Sequence, residues 1–199
     1  MGCKMSIIIK KHMTSKSAKA YAGVLPWTVD SKGHLRILLG REAGGHEAGK
    51  WSDFGGGVEP KDHSFLAAAF REMGEESMGL LAHDESTVCP SLTFDFGGFH
   101  GTLVLGVLGD LNTKGRLPKK AWKHLEEIPS ILLEKRKALC TSTSHDPSCE
   151  KDRAVWIRVK DIVQIEPSLL LLTQDAVLPL RKSYGLLLTK ALDLLMALQ

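Results

Sequence analysis

Residues 55–80 read GGGVEPKDHSFLAAAFREMGEESMGL, and this stretch decides the fold. The three consecutive glycines Gly55, Gly56 and Gly57 mark backbone that bends sharply or closely approaches a ligand, since glycine has no Cβ in the way. From Ser64 to about Met78 the pattern turns helical, with Leu66, Ala69, Phe70 and Met73 at i, i+3, i+4 and i+7 on one apolar face. Ser64 is the expected cap, and Gly79 the left-handed residue that ends the helix. Positions three and four apart share a helix face, so Glu72, Glu75 and Glu76 crowd onto one patch opposite the apolar stripe. Like charges so placed repel. Hard divalent ions such as Mg²⁺ and Mn²⁺ prefer carboxylate oxygens and would neutralise the patch. The glycine loop just upstream offers backbone groups to a metal or a phosphate chain. The competing reading is a solvated acidic face flanked by Arg71.

Outward from this loop and helix, strand and helix patterns alternate. Ala20 to Val29 and His34 to Leu39 read as a hairpin around the turn Asp30-Ser-Lys-Gly33, and Arg41 to Lys50 as a Gly-rich surface loop. Thr87 to Phe96 and His100 to Leu108 read as strands separated by Gly97-Gly98. The second is so evenly apolar that burial on both faces is predicted. A helical pattern runs from about Lys120 to Leu139, a polar loop from Thr141 to Ser148, and a strand from Arg153 to Val163. Tyr184, Leu187, Leu188, Ala191, Leu195 and Leu198 form one stripe of a closing amphipathic helix. No internal repeat is visible.

A chain of 199 residues with 43% hydrophobic and 25% charged residues affords a sizeable core and lies outside the disordered class. It lacks the run of about 18 apolar residues that a membrane-spanning helix needs, and the apolar segment of a secretory signal. A net charge of +3 does not argue for nucleic acid. Local clusters matter more: Lys4, Lys10, Lys11, Lys16 and Lys19, and then Lys114, Arg116, Lys119, Lys120 and Lys123, invite phosphate or form solvated surface. Cys3, Cys89, Cys140 and Cys149 show neither the density nor the spacing of a disulfide scaffold, so a reducing compartment is expected. Zinc at Cys140, His145 and Cys149 is disfavoured because the Cys-x2-Cys spacing is missing.

The residues from Gly57 through Arg71-Glu72-Met73, Glu75-Glu76 and Gly79-Leu80 resemble the Nudix box, G-x5-E-x7-R-E-U-x-E-E-x-G-U, where U is bulky and apolar. The resemblance implies an α/β fold, a Nudix-type α/β/α sandwich with a mixed β-sheet, over residues 18–199, with an insertion around 112–152 and a flexible basic segment at 1–17. The chain departs from the pattern twice. His63 stands where the family has its first Glu, with Asp62 or Glu59 as electrostatic substitutes, and Ser77-Met78 place one extra residue before the glycine, lengthening the helix end.

What the resemblance implies is a Nudix hydrolase, a Mg²⁺- or Mn²⁺-dependent pyrophosphohydrolase. Glu72, Glu75 and Glu76 are then the metal ligands, with the Gly56 carbonyl as a further one, and Arg71 orients a glutamate. Water attacks phosphorus in a diphosphate linkage while the metal neutralises charge. Glu72 is the first candidate for the base, Glu150 the second, with Glu126 and Glu127 behind them. Arg41, Trp51, Phe54, Lys119 and Lys120 are candidate substrate contacts: the rings, with Trp27, could stack a base, and the cations hold phosphates. The implied substrate is a nucleoside diphosphate linked to another moiety, as in dinucleoside polyphosphates, nucleotide sugars, ADP-ribose or capped RNA. The alternative is a catalytically weak Nudix-fold module that binds a phosphorylated ligand or RNA. Cytoplasmic location is expected. Gly2, Cys3 and Ser6 fit an N-acylation pattern that would add membrane association.

Overall fold

The computed structural model describes residues 6–10, 19–81, 89–96, 99–108, 116–140, 149–173, 176–182 and 184–198. Along them lie strands β1 (Ser6–Lys10), β2 (Lys19–Val29), β3 (Leu35–Glu42), β4 (Trp51–Ser52) and β5 (Phe54–Gly57), then helix α1 (Phe65–Glu76). Strands β6 (Ser91–Phe96) and β7 (Phe99–Val107) follow, then helices α2 (Lys119–Glu126) and α3 (Ile128–Leu139). The chain continues through β8 (Lys151–Arg158), β9 (Ile162–Glu166), β10 (Leu169–Leu172) and β11 (Val177–Pro179), and closes with α4 (Tyr184–Ala197).

β1, β6, β7, β2, β3 and β4 are successive neighbours in a mixed sheet, with β5 joined to β2 and β8 to β3. The β1–β6 and β2–β7 pairs are parallel and the rest antiparallel. β2 pairs with β3 only from Trp27 to Val29, and with β5 from Tyr21 to Val24. Its partner on that side therefore changes midway, which forks the sheet. β9, β10 and β11 form a small antiparallel sheet.

Alternation along the strands sends side chains into two cores. Leu25, Trp27, Ile37, Leu39, Leu103, Leu105 and Ile157 pack on one side with Tyr184, Leu188, Ala191 and Leu195 of α4. Ala22, Val24, Leu38, Val104 and Ala154 pack on the other with Phe70 and Met73 of α1 and Ile128 and Leu132 of α3. The result is the predicted α/β/α sandwich, and β7 is buried on both faces as its sequence predicts.

Several expectations need correction. Ser6–Lys10, assigned to a flexible head, forms β1 beside β6. The single helical pattern from Lys120 to Leu139 is two helices, divided at Glu127 because Pro129 in the first turn of α3 has no N–H to continue the ladder of α2. The strand expected at 153–163 stops at Arg158, and β9 begins after a 3-10 turn at Val159–Asp161. Cys140, at the end of α3, and Cys149, just before β8, form a disulfide with Cα atoms 5.8 Å apart. Packing of α3 on β8 brings these two ends together, which their spacing of nine residues does not disclose. The Gly97-Gly98 turn, the 141–148 loop, Lys114 and the acylation residues Gly2 and Cys3 lie outside the described residues.

Gly185 in the first turn of α4 lies so close to Glu166 that a Cβ there would overlap its carbonyl oxygen. Helix propensity favours alanine by about 1 kcal/mol. Overpacking against rigid backbone costs about 1–3 kcal/mol and should prevail. Gly185→Ala is therefore expected to lower the midpoint of urea unfolding, and an unchanged or raised midpoint would show that α4 does not lie against this turn.

Candidate functional site

Ser64 caps α1 by accepting a hydrogen bond from the Ala67 N–H at 3.0 Å, as its sequence position predicts. The helix then presents Arg71 to the loop that precedes it. Arg71 Nε donates to Asp62 Oδ1 at 3.0 Å and its Nη2 to Asp62 Oδ2 at 2.9 Å, a bidentate pair. The same Nη2 reaches the Gly57 carbonyl at 3.1 Å. Nη1 donates to Glu72 Oε1 and to Glu75 Oε2, each at 3.0 Å. One guanidinium thus ties the glycine strand, the loop and two box carboxylates together. The hydrogen bonds from Arg71 hold the Asp62 pKa down at about 2. Asp62 therefore fills the place left by His63, while Glu59 lies 3.7 Å from Arg71 and 2.9 Å from Lys61.

Glu72 is buried over Gly56, where an added Cβ would come within 2.7 Å of its carboxylate. Burial raises its pKa, opposed by Arg71 and reinforced by the charges of Glu75 and Glu150. The Glu75 side chain is 35% exposed and so has room to turn outward. Glu76 faces inward at 1% exposure; its Oε2 accepts from the Gly55 N–H at 2.8 Å and its Oε1 lies 3.4 Å from Lys151 Nζ. Burial pushes the Glu76 pKa well up against the opposing charge of Lys151.

The helix does not carry the extra residue expected before Gly79. It ends at Glu76, and both Met78 (φ 54°) and Gly79 (φ 72°) turn left-handed. The N–H groups of Met78 and Gly79 cap the carbonyls of Glu75 and Gly74 at 2.9 and 2.8 Å. Glu72, Glu75 and Glu76 keep their register.

The fork between β2 and β3 holds a second charged group. The register of β3 on β8 slips between Arg41 and Glu42, and this bulge sets Glu42 opposite Lys151. Lys151 is wholly buried. Its Nζ donates to Glu42 Oε1 at 2.5 Å and to Ser52 Oγ at 3.0 Å, and the Ser52 hydroxyl donates to Glu42 at 2.8 Å. Tyr21 OH donates to the buried Asp53 Oδ1 at 3.0 Å, and Arg181 stands 3.5 Å from Glu42 and over the Tyr21 ring. Burial raises the Asp53 pKa, countered by Lys151 and Arg181. Sequence alone does not single out Glu42, Ser52, Asp53, Lys151 or Arg181. Gly23 and Gly40 are the signals that could have found them, because Asp53 lies where a Gly23 Cβ would be and the Lys151 stem 3.0 Å from where a Gly40 Cβ would be.

The remaining sequence candidates separate into groups. Glu150 is exposed, with its carbonyl accepting from the Ala43 N–H at 2.7 Å. The protein packed around it, and the charges of Glu42 and Glu75, raise its carboxyl pKa, so it belongs to the same electrostatic cluster. Arg41 is committed to a bidentate pair with Asp152, both contacts at 2.7 Å. Phe54 is 0% exposed beneath α1, and Trp51 and Trp27 are buried in the core facing α4, so none of the three offers a face to a base. This corrects the expectation for Trp51 and Phe54: strand alternation next to the glycines turns both rings inward. Lys119 and Lys120 are exposed at the start of α2, as are Glu126 and Glu127 at its end. Among the described residues, no ion pair of the carboxylate site reaches these four.

Among the described residues, no three His, Cys, Asp or Glu side chains already stand close enough to grip a metal ion. In kind the donors suit a hard divalent cation, being carboxylate and carbonyl oxygens around the Gly56 seat. Glu72 and Glu75 are drawn onto Arg71, and Glu76 onto Lys151.

The NUDIX domain family model matches residues 20–169. Among solved structures, a MutT/nudix family protein from Enterococcus faecalis is similar with a TM-score of 0.55 and 14% identity, covering 94% of this chain and 66% of that one. NrtR from Shewanella oneidensis follows with a TM-score of 0.53 and 14% identity, over 89% of this chain and 63% of that one. A Nudix hydrolase from M. smegmatis, RenU, has a TM-score of 0.52 and 16% identity, over 92% and 88%. The chain thus spans somewhat less than two thirds of the first two proteins. No curated protein sequence matches it.

Asp62 has a depressed pKa, so its stabilising effect is present above the ordinary carboxyl pKa of about 4 and disappears as pH falls toward about 2. Asp62→Asn is expected to lower the melting temperature at pH 7 and to flatten the loss of stability between about pH 4 and 2. A residual slope should persist, because Asp30 is also held at about 2: burial raises it, but hydrogen bonds from the His34 N–H and Arg36 outweigh that. Parallel melting-temperature profiles for wild type and variant would remove Asp62 from its role as the partner of Arg71.

Proposed function

The chain belongs to the NUDIX domain family, and we propose that it is a Nudix hydrolase that cleaves a diphosphate linkage in a nucleoside diphosphate joined to another moiety, with Mg²⁺ or Mn²⁺ as cofactor. The observation that carries this reading is the convergence of Glu72, Glu75 and the Gly57 carbonyl on Arg71, beside the Gly56 seat. Glu72, Glu75 and the Gly56 carbonyl would hold the cation; Glu76, the remaining carboxylate of the expected set, is held by Lys151. When bound, the cation would neutralise non-bridging phosphate oxygens and lower the pKa of a bound water. Arg71 holds Glu72 and Glu75 in place by charge-assisted hydrogen bonds. Glu72, buried and with a raised pKa, is the first choice to take the proton from the attacking water; Glu150, open to solvent, is the second.

The substrate class stays that of dinucleoside polyphosphates, nucleotide sugars, ADP-ribose or capped RNA. With Trp51 and Phe54 buried and Arg41 paired, Lys119 and Lys120 remain as the expected phosphate contacts. No helix among the described residues is long and apolar enough to cross a membrane. Cytoplasmic location, with acylation at Gly2 and Cys3 adding membrane association, remains part of the proposal. The second reading, a weakly catalytic module binding a phosphorylated ligand or RNA, is favoured by one observation: the third box carboxylate, Glu76, is held by Lys151.

A panel of these substrates assayed with Mg²⁺ and with Mn²⁺ separates the two. Turnover of a diphosphate substrate is expected, and Glu72→Gln and Glu75→Gln should each lower kcat by about 100-fold or more with the fold intact. Binding without turnover across the panel would favour the binding module. Wild-type rates in both variants would dismiss the metal and base assignments. Loss of activity in Glu150→Gln at unchanged metal affinity would move the base to that residue.

A further inference from the structure

The diphosphate chemistry does not explain the placement of Lys151. A buried ammonium needs hydrogen-bond and charge partners for each of its N–H groups. Lys151 Nζ has three: Glu42, Ser52 and, at 3.4 Å, Glu76. Both oxygens of Glu76 are in turn engaged, one by the Gly55 N–H and the other by Lys151. The backbone is shaped to receive the side chain. The bulge at Arg41/Glu42 directs it inward, and Gly40 leaves room for its stem. A divalent ion on Glu76 would have to sit about 2.0–2.1 Å from an oxygen that already faces a positive charge.

We propose that the Lys151 ammonium is a resident cation of the site: it occupies the position between Glu42 and Glu76, commits Glu76 to itself, and confines divalent ions to the outer set of Glu72, Glu75 and the Gly56 carbonyl. This rests on the reading that the site takes divalent ions. Arg71 and Lys151 then divide the three box glutamates. Glu72 and Glu75 go to a guanidinium near the surface, from which the half-exposed Glu75 can swing to a metal. Glu76 goes to a buried ammonium and serves as a positioning residue, anchoring the Gly55 backbone beside the Gly56 seat. Lys151 determines how many ions the site accepts.

Mn²⁺ alone, titrated into the full chain and followed by electron paramagnetic resonance, tests this. Wild type is expected to bind Mn²⁺, Glu75→Gln to weaken binding by tenfold or more, and Glu76→Gln to leave the affinity within about threefold. Lys151→Met, which removes the charge at similar bulk, should take up one more Mn²⁺ per chain than wild type. Added Mn²⁺ should also raise its melting temperature more, since the ion replaces the lost ammonium. Equal weakening by Glu76→Gln and Glu75→Gln would overturn the proposal, as would an unchanged Mn²⁺ stoichiometry in folded Lys151→Met. Should Lys151→Met not fold, the two glutamine variants decide alone. Absence of Mn²⁺ binding by wild type would instead overturn the underlying metal reading.

Discussion

Burying Glu42, Asp53, Glu76 and Lys151 in one fork of a sheet demands space beside the backbone and a partner for nearly every polar atom, because unpaired charge in a protein interior is strongly unfavourable. The space comes from glycines. Gly23 lies under Asp53, Gly40 under Lys151, Gly55 under the Tyr21 hydroxyl and Gly56 under Glu72, and a Cβ at any of them would collide or press on that group. The partners come from two directions: α1 supplies Glu76 through the gap, and β8 supplies Lys151 through its bulge. The change of neighbour along β2, from β3 to β5, makes the gap. The topology of the sheet and the charge distribution of the site are therefore one arrangement.

Two cationic side chains organise the carboxylates at different depths. Arg71 is partly exposed and shares its five donors among Asp62, Glu72, Glu75 and Gly57, so that turning one carboxylate away leaves the others held. Lys151 is sealed in, and removing any of its partners leaves charge stranded. The outer arrangement permits exchange with a ligand, and the inner one resists it.

The box was legible because its signals are local. Helical periodicity, a capping serine and three glycines lie within one continuous stretch, and Ser64, Arg71, Glu72 and Glu75 stand where that pattern places them. The amphipathic run of α4 and the apolar run of β7 were legible for the same reason. The substitution of Asp62 for the missing glutamate at His63 was within reach as one of two alternatives, since only loop geometry decides between Asp62 and Glu59. What failed was non-local. Trp51 and Phe54 look like exposed aromatic platforms until strand alternation is fixed by pairing with distant strands, and the Cys140–Cys149 disulfide depends on α3 packing onto β8. The inner network joins residues 21, 42, 53, 76, 151 and 181, which no window of sequence contains.

Lys151 and Arg71 divide the cations of the site, with an ammonium inside and divalent metal outside. A crystal structure grown in Mn²⁺ with data collected at the manganese absorption edge tests it most directly. Anomalous density is expected beside Glu72 or Glu75 near the Gly56 carbonyl, with Lys151 Nζ still lodged between Glu42 and Glu76. Manganese bound to Glu76, with the Lys151 side chain displaced from the fork, would contradict it.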